Sequence, residues 1–549
     1  MKSSKGFKIK AIIISIILIG IIGFTYYYVT LPAINIHSVG FWFFIISSII
    51  IVGAIFGILS LFKTFGGNSV IQMDAAFLRP ALKNKMTAGC FIIAIVLAII
   101  FIGGSLLSSE IFRAKEYQKL ITVEERNFTE DIPQISYNQV PILDKDSAQL
   151  LGSRKMGNMV EFVSQFEVSD DYTQINYKGL PVRVSPLEYG SFIKWFSNKD
   201  EGIPAYMRID MTTQNVECVQ LEEGIKYSES EHFGRNIHRY LRFNYPTYIF
   251  DNINFEIDDN GVPYWVCPVK DYTIGLFGGE TISNVVLVNA ITGELNDYKI
   301  DKVPTWIDRV FSADLLISYY DYYGTLKNGY WNTVFSQKGC LQTTDGYNYL
   351  AIDDDVWVYT GVTSVGQDKS NVGFVLMNQR TAETRYYSIS GAEENSAMKS
   401  AEGQVQHLGY IATFPLLLNI ANEPTYFIAL KDEAGLVKKY AMVNIAQYSI
   451  VAIGDSVTEC EKAYVTLLKS HNVTTTDVST LPTITGTISK IAEAVVEGNS
   501  HYYIMIKESQ AIFDISVADY INIIKYNVGD RIKISYTEGS AYNTVLGIE

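Results

Sequence analysis

Asp353, Asp354 and Asp355, beside Trp357 and Tyr359, are the residues of this chain whose types point most directly to ion chemistry. Carboxylate oxygens are the ligands a hard cation such as calcium prefers. Their spacing matches no calcium loop, however, and a solvated hairpin end accounts for the run without a metal. Asp258-Asp259-Asn260-Gly261 reads the same way, because Asn-Gly is first a hairpin signal. His232 and His238 stand six apart on one expected helix, so they point to different faces and do not make a two-histidine ligand pair. Gly454-Asp455-Ser456 has the outline of a hydrolase serine block, yet it stands immediately before an expected helix, where Asp and Ser are ordinary caps. Gly275, Gly278 and Gly279 lack a following Lys and a strand-to-helix setting, so they read as a flexible loop and not as a phosphate cradle. The sequence therefore assigns no catalytic, cofactor-binding or metal-ligating residue and implies no cofactor.

Tyrosine is abundant, with 37 residues, and Tyr319, Tyr320, Tyr322 and Tyr323 cluster at the end of one expected helix. Exposed aromatics mark carbohydrate or protein contact surfaces. Half-buried β-structure uses the same residues with no ligand, and that is the preferred reading. Cys218, Cys267, Cys340 and Cys460 are widely spaced and form no CxxC pair, so buried small apolar side chains are expected before disulfides or zinc. Cys90 falls in an apolar run.

The elements that must position these residues fall into two regimes. Before Glu110 the only acidic residue is Asp74, and three uncharged runs follow one another, at about 11–29, 39–62 and 86–107. Each has the length a helix needs to cross a bilayer, and Tyr26, Tyr27, Tyr28 and Trp42 stand where interfacial aromatics belong. Bulky tyrosines at the end of the first run argue against a cleaved signal peptide. Residues 1–109 are thus expected to form a membrane domain with three transmembrane helices. Lys2, Lys5, Lys8 and Lys10 precede the first run, and Lys63, Arg79, Lys83 and Lys85 lie between the second and third. Both basic stretches belong on the cytoplasmic side, which sends everything after Ser109 outside. The whole chain has a formal charge of −14, and nearly all of its acidic residues lie in the exterior part. Nucleic acid is accordingly excluded as an expected partner.

Beyond the membrane domain, residues 110–143 read as a stalk. Asp146 to Phe166 has helical spacing, Gln174 to Val184 alternates around Lys178-Gly179, and Pro186 opens an expected helix through Trp195. Ala205 to Asp210 pairs with Val216 to Val219 across Thr213-Gln214-Asn215. Ser228 and Glu231 have capping-box spacing ahead of a helix to about Phe243. Asn254 to Gly261 leads into Tyr264-Trp265-Val266, and Val285 to Ala290 closes on Asn289 to Glu294 with Thr292-Gly293-Glu294 at the corner. This combination over about 228–300 resembles the PepSY domain, a small module of peptidase propeptides and bacterial envelope proteins. The resemblance implies two such α+β modules over 144–300 and an envelope peptidase or assembly factor as a partner. Echoes of the corner stand at Thr213-Gln214-Asn215, at Thr381-Ala382-Glu383 and around Glu433-Ala434-Gly435.

Residues 301–337 are expected to form a joining element, with an amphipathic helix over Pro304 to Tyr323. A divergent α+β module pair follows at 338–469, with helices over Gly391 to His407 and Ser456 to Leu468. A linker is expected at 470–485 and a small OB-like β-barrel at 486–549, whose slightly acidic charge disfavours nucleic acid there too. The fold class is α+β. The expected function is a non-enzymatic, membrane-anchored interaction or regulatory scaffold of the bacterial envelope, with the lipid bilayer and an envelope protein as partners. A homo-oligomer formed through the spans stays open. The competing reading is a cell-wall glycan binder or glycan-acting membrane enzyme. A transporter is disfavoured because the spans carry no ionisable residue of the kind expected in an ion pathway.

Overall fold

The computed structural model describes residues 20–65, 84–132, 140–352, 354–366, 370–471, 473, 482–496, 499–517, 520–537 and 542–548. The chain mixes helix and sheet. Two N-terminal helices, α1 (Val39–Phe65) and α2 (Lys85–Leu107), lie against each other and leave most of their apolar surface uncovered by protein. Among the described residues these are the two helices long and apolar enough to cross a membrane, where three were expected. The first expected span is described from Gly20 only, as helix to residue 30. The loop around Asp74 lies outside the described residues.

A short helix α3 (Glu110–Tyr117) follows α2 after Ser108 and Ser109, and strand β1 (Val123–Glu125) follows it. The first part of the expected stalk, residues 110–132, is therefore folded onto the body: Tyr117 is buried and β1 pairs in parallel with a strand more than 250 residues later, Val123 opposite Thr384.

Among the described residues the body contains four sheets of one topology. Helix α4 (Lys145–Gly157) precedes β2 (Phe166–Val168), β3 (Thr173–Tyr177) and β4 (Leu180–Tyr189); helix α5 (Phe192–Asn198) is inserted before β5 (Ile203–Asp210) and β6 (Val216–Ile225). Helix α6 (Ile237–Asn244) precedes β7 (Ile249–Phe250), β8 (Asn254–Ile257), β9 (Pro263–Ile274), β10 (Gly278–Asn289) and β11 (Leu295–Lys299). Helix α7 (Ala313–Thr325) precedes β12 (Leu341–Thr343), β13 (Asn348–Ile352), β14 (Asp355–Ser364), the two-residue β15 (Ser370–Asn371), β16 (Gly373–Asn378) and β17 (Thr384–Tyr387). After β18 (Gly391–Ala392), which pairs with β15, helix α8 (Glu394–Gln404) precedes β19 (Ile411–Ala412), β20 (Leu416–Ile420), β21 (Glu423–Lys431), β22 (Val437–Asn444) and β23 (Val451–Gly454).

The strand orders β2-β4-β5-β6, β7-β9-β10-β11, β12-β14-β16-β17 and β19-β21-β22-β23 are the same path, and β3, β8, β13 and β20 each share the long second strand with the first. The edge strand of every copy is thus broken in two. One backbone bond bridges each break: Ser169 N to Pro186 O, Asp251 N to Pro268 O, Thr344 N to Gly361 O and Thr413 N to Ala429 O. This explains Pro186, which was expected to open a helix and instead sits inside β4 opposite Tyr206. Neither β2 nor β3 pairs with residue 186, so the missing N–H of proline is not needed there.

The turn between the last two strands also recurs. The side-chain oxygens of Asp210, Asn289 and Asn378 accept the amides two and three residues on, and Thr213, Thr292 and Thr381 each accept the amide two further along. The residue after each Thr has positive φ: Gln214 at 61°, Gly293 at 77° and Ala382 at 60°. The echoes without glycine are therefore the same turn. In the fourth copy the equivalent turn is not at Glu433-Ala434-Gly435, which joins β21 to β22, but starts at Asn444, whose side chain accepts the amide of Gln447.

The sheets stack because their strands are apolar on both faces. Trp265, Cys267, Val286 and Val288 pack with the first sheet, whereas Val266, Val285 and Leu287 pack with α7. Val358, Val362, Val375 and Met377 meet α7 from the third sheet, while Tyr359, Phe374 and Leu376 join the fourth. Helix α7 begins at Ala313, capped by Ser312 Oγ on the Leu315 amide, and not at Pro304. Helix α9 (Val457–Ser470) covers the fourth sheet. Strands β24 (Thr483–Val496), β25 (Asn499–Ile506), β26 (Ile512–Ser516), β27 (Arg531–Thr537) and β28 (Asn543–Ile548) close a barrel in the order β24-β25-β26-β28-β27. Most of the expected linker lies outside the described residues.

Candidate functional site

The long β9–β10 hairpin of the second sheet ends in Gly275-Leu276-Phe277-Gly278-Gly279, and this tip is lodged at the start of α1 and the end of α2. Ser108 Oγ, just past α2, accepts the amides of Leu276 at 2.7 Å and Phe277 at 3.2 Å and donates to Gly104 O at 2.7 Å. Leu276 lies over Gly104, where a Cβ would come within 2.7 Å of its Cδ2. The Phe277 ring packs on Phe101, with centroids 5.0 Å apart, and on Trp42 at 6.3 Å. His37 Nδ1 donates to Leu276 O at 2.8 Å, and Tyr117 donates its hydroxyl to Ser108 O at 2.9 Å.

The three glycines are therefore not a flexible loop, as expected from sequence, but a close-packed wedge. Gly275 and Gly279 have φ of 63° and 60°. A Cβ on Gly278 would stand 2.4 Å from Ser108 O and from Tyr117 Oη. The available signal was the pair of large apolar residues held between glycines at a turn, a poor composition for a solvated loop.

A second contact joins α6 to the chain before α1. Arg242 donates from Nε to Leu31 O at 2.9 Å and from Nη1 to Tyr248 O at 2.6 Å. Ile34 N donates to Pro246 O at 2.7 Å. The Arg239 guanidinium lies 4.5 Å from the Tyr28 ring centroid.

Deeper in the body, fully buried Glu256 on β8 accepts the amides of Asp308 at 3.0 Å and Arg309 at 3.0 Å. Asp308 in turn accepts the Asn176 amide at 2.6 Å, tying the first and second sheets to the approach to α7. Burial pushes the Glu256 carboxyl up to about 7 against those two amides, and burial together with the Glu256 charge raises Asp308 well above the carboxylate range. Beside this seam lie two polar clefts. One of about 410 Å³ is bordered by Lys145, Asp171, Glu229, His238, Asp251 and Arg309, and desolvation raises Asp171 there. The other, about 370 Å³, holds Lys270 between Asp251 at 2.9 Å and Glu280 at 2.7 Å.

Of the residues singled out by sequence, His238 borders the first of these clefts and Gly279, Tyr319 and Tyr322 border the second; the other described ones lie elsewhere. Asp353 lies outside the described residues, Asp354 is exposed, and Asp355 makes a two-pronged ion pair with Arg380 and accepts a hydrogen bond from Asn378. Asp258 accepts the amides of Asn260 and Val262 in a turn with Gly261 at φ 80°. His232 packs on Trp195, and His238 pairs with Glu229 at 2.9 Å. Glu231 does not close a capping box; buried, it accepts from Tyr189 Oη and Trp195 Nε1. Ser456 caps α9 through the Glu459 amide, while Asp455 pairs with Lys439. Tyr319 and Tyr320 are core residues, Tyr319 donating to Glu280 O at 2.7 Å. Cys267, Cys340 and Cys460 are buried free thiols and Cys218 is partly buried. Among the described residues no three His, Cys, Asp or Glu side chains gather to hold a metal ion. No protein-family model and no curated protein matches the chain.

Proposed function

We propose that this protein is a membrane-anchored scaffold of the bacterial envelope, with its N-terminus cytoplasmic and its four-sheet body extracytoplasmic, that docks a second envelope protein by strand addition. In this reading the repeated modules are PepSY-like and the C-terminal barrel OB-like. The observation that carries it is β6. This strand of 10 residues ends the first sheet and, among the described residues, pairs only with β5. The corresponding strand of the second sheet, β11, also pairs only with β10 among the described residues but has five residues, that of the third is covered by β1, and that of the fourth packs under α9.

An open edge offers main-chain donors and acceptors to an extended segment, and the side chains beside it select which segment. Here Glu217, Gln220, Glu222 and Glu223 are exposed, so a basic segment is the complement. The clamp between the β9–β10 tip and α2 would hold that edge at a fixed height above the bilayer.

The test is a photo-crosslinking residue at Gln220 of the full-length protein in its native cells. A discrete envelope-protein adduct that disappears in the Glu222→Lys/Glu223→Lys variant is expected. Absence of any adduct, with the purified protein retained on cell wall, would instead favour glycan as the ligand. The 410 Å³ cleft with Asp171 raised beside Glu229 and Asp251 supports that second reading, and Asp171→Asn would then abolish the retention.

A further inference from the structure

Two groups of exposed aromatic side chains stand beside the places where the chain leaves the apolar helices. The first is formed by Phe192, Ile193 and Phe196 of α5 with Phe233, the last two each 61% exposed. It is connected to the first described helix by short steps. Phe233 packs on Trp195, its carbonyl accepts from Arg239 Nη1 at 3.1 Å, and Arg239 covers Tyr28 near that helix's end. The second group follows α7. Trp331, 63% exposed, stacks on Phe335, 76% exposed, at 5.8 Å and 15°. Trp331 also meets Tyr330, which packs in one cluster with Tyr117, whose hydroxyl holds Ser108 at the end of α2.

Isolated exposed apolar residues need no explanation, but contiguous aromatic patches on a water-facing body are costly. Cations also stand directly at these rings. Lys199 lies 5.1 Å from the Phe196 ring centroid, Arg235 donates to Lys199 O at 2.5 Å, and Lys194 and Arg239 are adjacent, with Asp200 and Glu201 beside Lys199, Glu167 near Lys194 and Glu231 buried beneath Trp195. Aromatic rings with basic residues around them are the composition of surfaces that rest in a headgroup layer, where ring bodies enter the acyl boundary and cations meet phosphate. The Gly275 to Gly279 wedge lies between the two exits, so both patches continue an existing contact with the helix ends.

We propose that these two patches lie in the headgroup layer of the bilayer crossed by α1 and α2, holding the body on the membrane at two sites besides the helices. This rests on the reading of α1 and α2 as membrane-spanning. It makes the orientation of the body a property of the lipid surface as well as of the hairpin wedge, and it leaves the acidic β6 edge available to a soluble or membrane-bound partner.

The experiment places single nitroxides on the full-length chain, with partly exposed Cys90 and Cys218 replaced by Ala, in phosphatidylcholine–phosphatidylglycerol vesicles. The sites are Phe196→Cys, Trp331→Cys, Ile99→Cys on the uncovered face of α2, and Tyr448→Cys on the fourth module. Relaxation by oxygen is compared with relaxation by a water-soluble nickel complex. The proposal expects an oxygen-to-nickel ratio at 196 and 331 several-fold above that at 448, approaching that at 99. If 99 is lipidic while 196 or 331 matches 448, the headgroup contact is overturned and the spanning helices stand. If 99 itself is aqueous, the membrane reading fails and the proposal with it. Phe335→Cys replaces Trp331→Cys should the latter fail to fold.

Discussion

Ser108 concentrates the coupling between helix and hairpin in one hydroxyl. Replacing it by Ala removes almost no volume but leaves the amides of Leu276 and Phe277 without their acceptor. A buried donor left unpaired costs about 1–3 kcal/mol, so Ser108→Ala should lower the melting point of the body although it lies next to the apolar helix. Gly278→Val tests the same junction by volume, since its φ is unremarkable and only the collision with Ser108 O and Tyr117 matters; about 1–3 kcal/mol is expected. Limited proteolysis at the β9–β10 tip would report both, and unchanged protection would sink the wedge. Glu256 gives a pH dependence. Its folded-state pKa is raised, from 4.5 to about 7, so the native state holds its proton more tightly than the unfolded chain. The stability tied to that proton is fully present below about 4.5 and is lost as pH rises toward 7; Asp308, also raised, acts in the same direction. Glu256→Gln should be less stable at low pH, because its amide group faces a backbone donor, yet should lose less on going from pH 4.5 to 7. Melting curves of both proteins across that range decide it, and parallel slopes would exclude Glu256 as the source.

At the scale of elements, what could be read from the sequence was what neighbours in sequence determine. The hairpin at Lys178-Gly179 and the Asn289 to Glu294 corner are local turn chemistry, and both form where expected. The start of α7 was not legible. Trp306, Ile307, Val310 and Phe311 have helical spacing, but the amides at 308 and 309 are taken by the Glu256 carboxylate, a partner some fifty residues earlier that no local pattern reveals. Pro186 misled for a related reason: the break between β2 and β3 that tolerates it is a feature of the sheet. Of the candidate site only the apolar pair Leu276-Phe277 between glycines was a signal, since glycines that admit Ser108 and Tyr117 differ from loop glycines by what approaches them. The repeated corner permits a comparison between copies. Ala382 has φ of 60°, which costs a side chain about 1–2 kcal/mol, whereas glycine costs the unfolded chain about 0.5–1 kcal/mol of extra freedom. Ala382→Gly should therefore stabilise by about 0.5 kcal/mol. Gly293→Ala should destabilise far more, because its Cβ would also stand 2.3 Å from the Tyr227 ring. Denaturant titration of the two variants would show opposite signs, and equal effects would mean the corners are not equivalent.

Across the whole molecule, the cores divide the chain into two cooperative parts. Sheets one to four share cores pairwise: the first with the second, the second with the third around α7, the third with the fourth. No sheet in that series can lose its packing without exposing a face of the next, so the body should unfold as one unit despite its length. The barrel is different. Its core of Ile488, Ile504, Phe513, Ile515, Ile532 and Ile534, with their neighbours, draws among the described residues only on those from β24 onward. A barrel of this size with closed edges can be stable alone, though with a small margin because little surface is buried. Calorimetry of the full chain should thus show two transitions. Variants at Ser108, Gly278 or Glu256 should move one of them and leave the other in place. Cleavage at a protease site inserted within residues 474–481 should release a fragment that keeps the second transition at its original temperature. If one transition moves as a whole in every variant, or the released fragment is unfolded, the barrel depends on the body, and a substitution at the membrane junction would be felt along the entire chain.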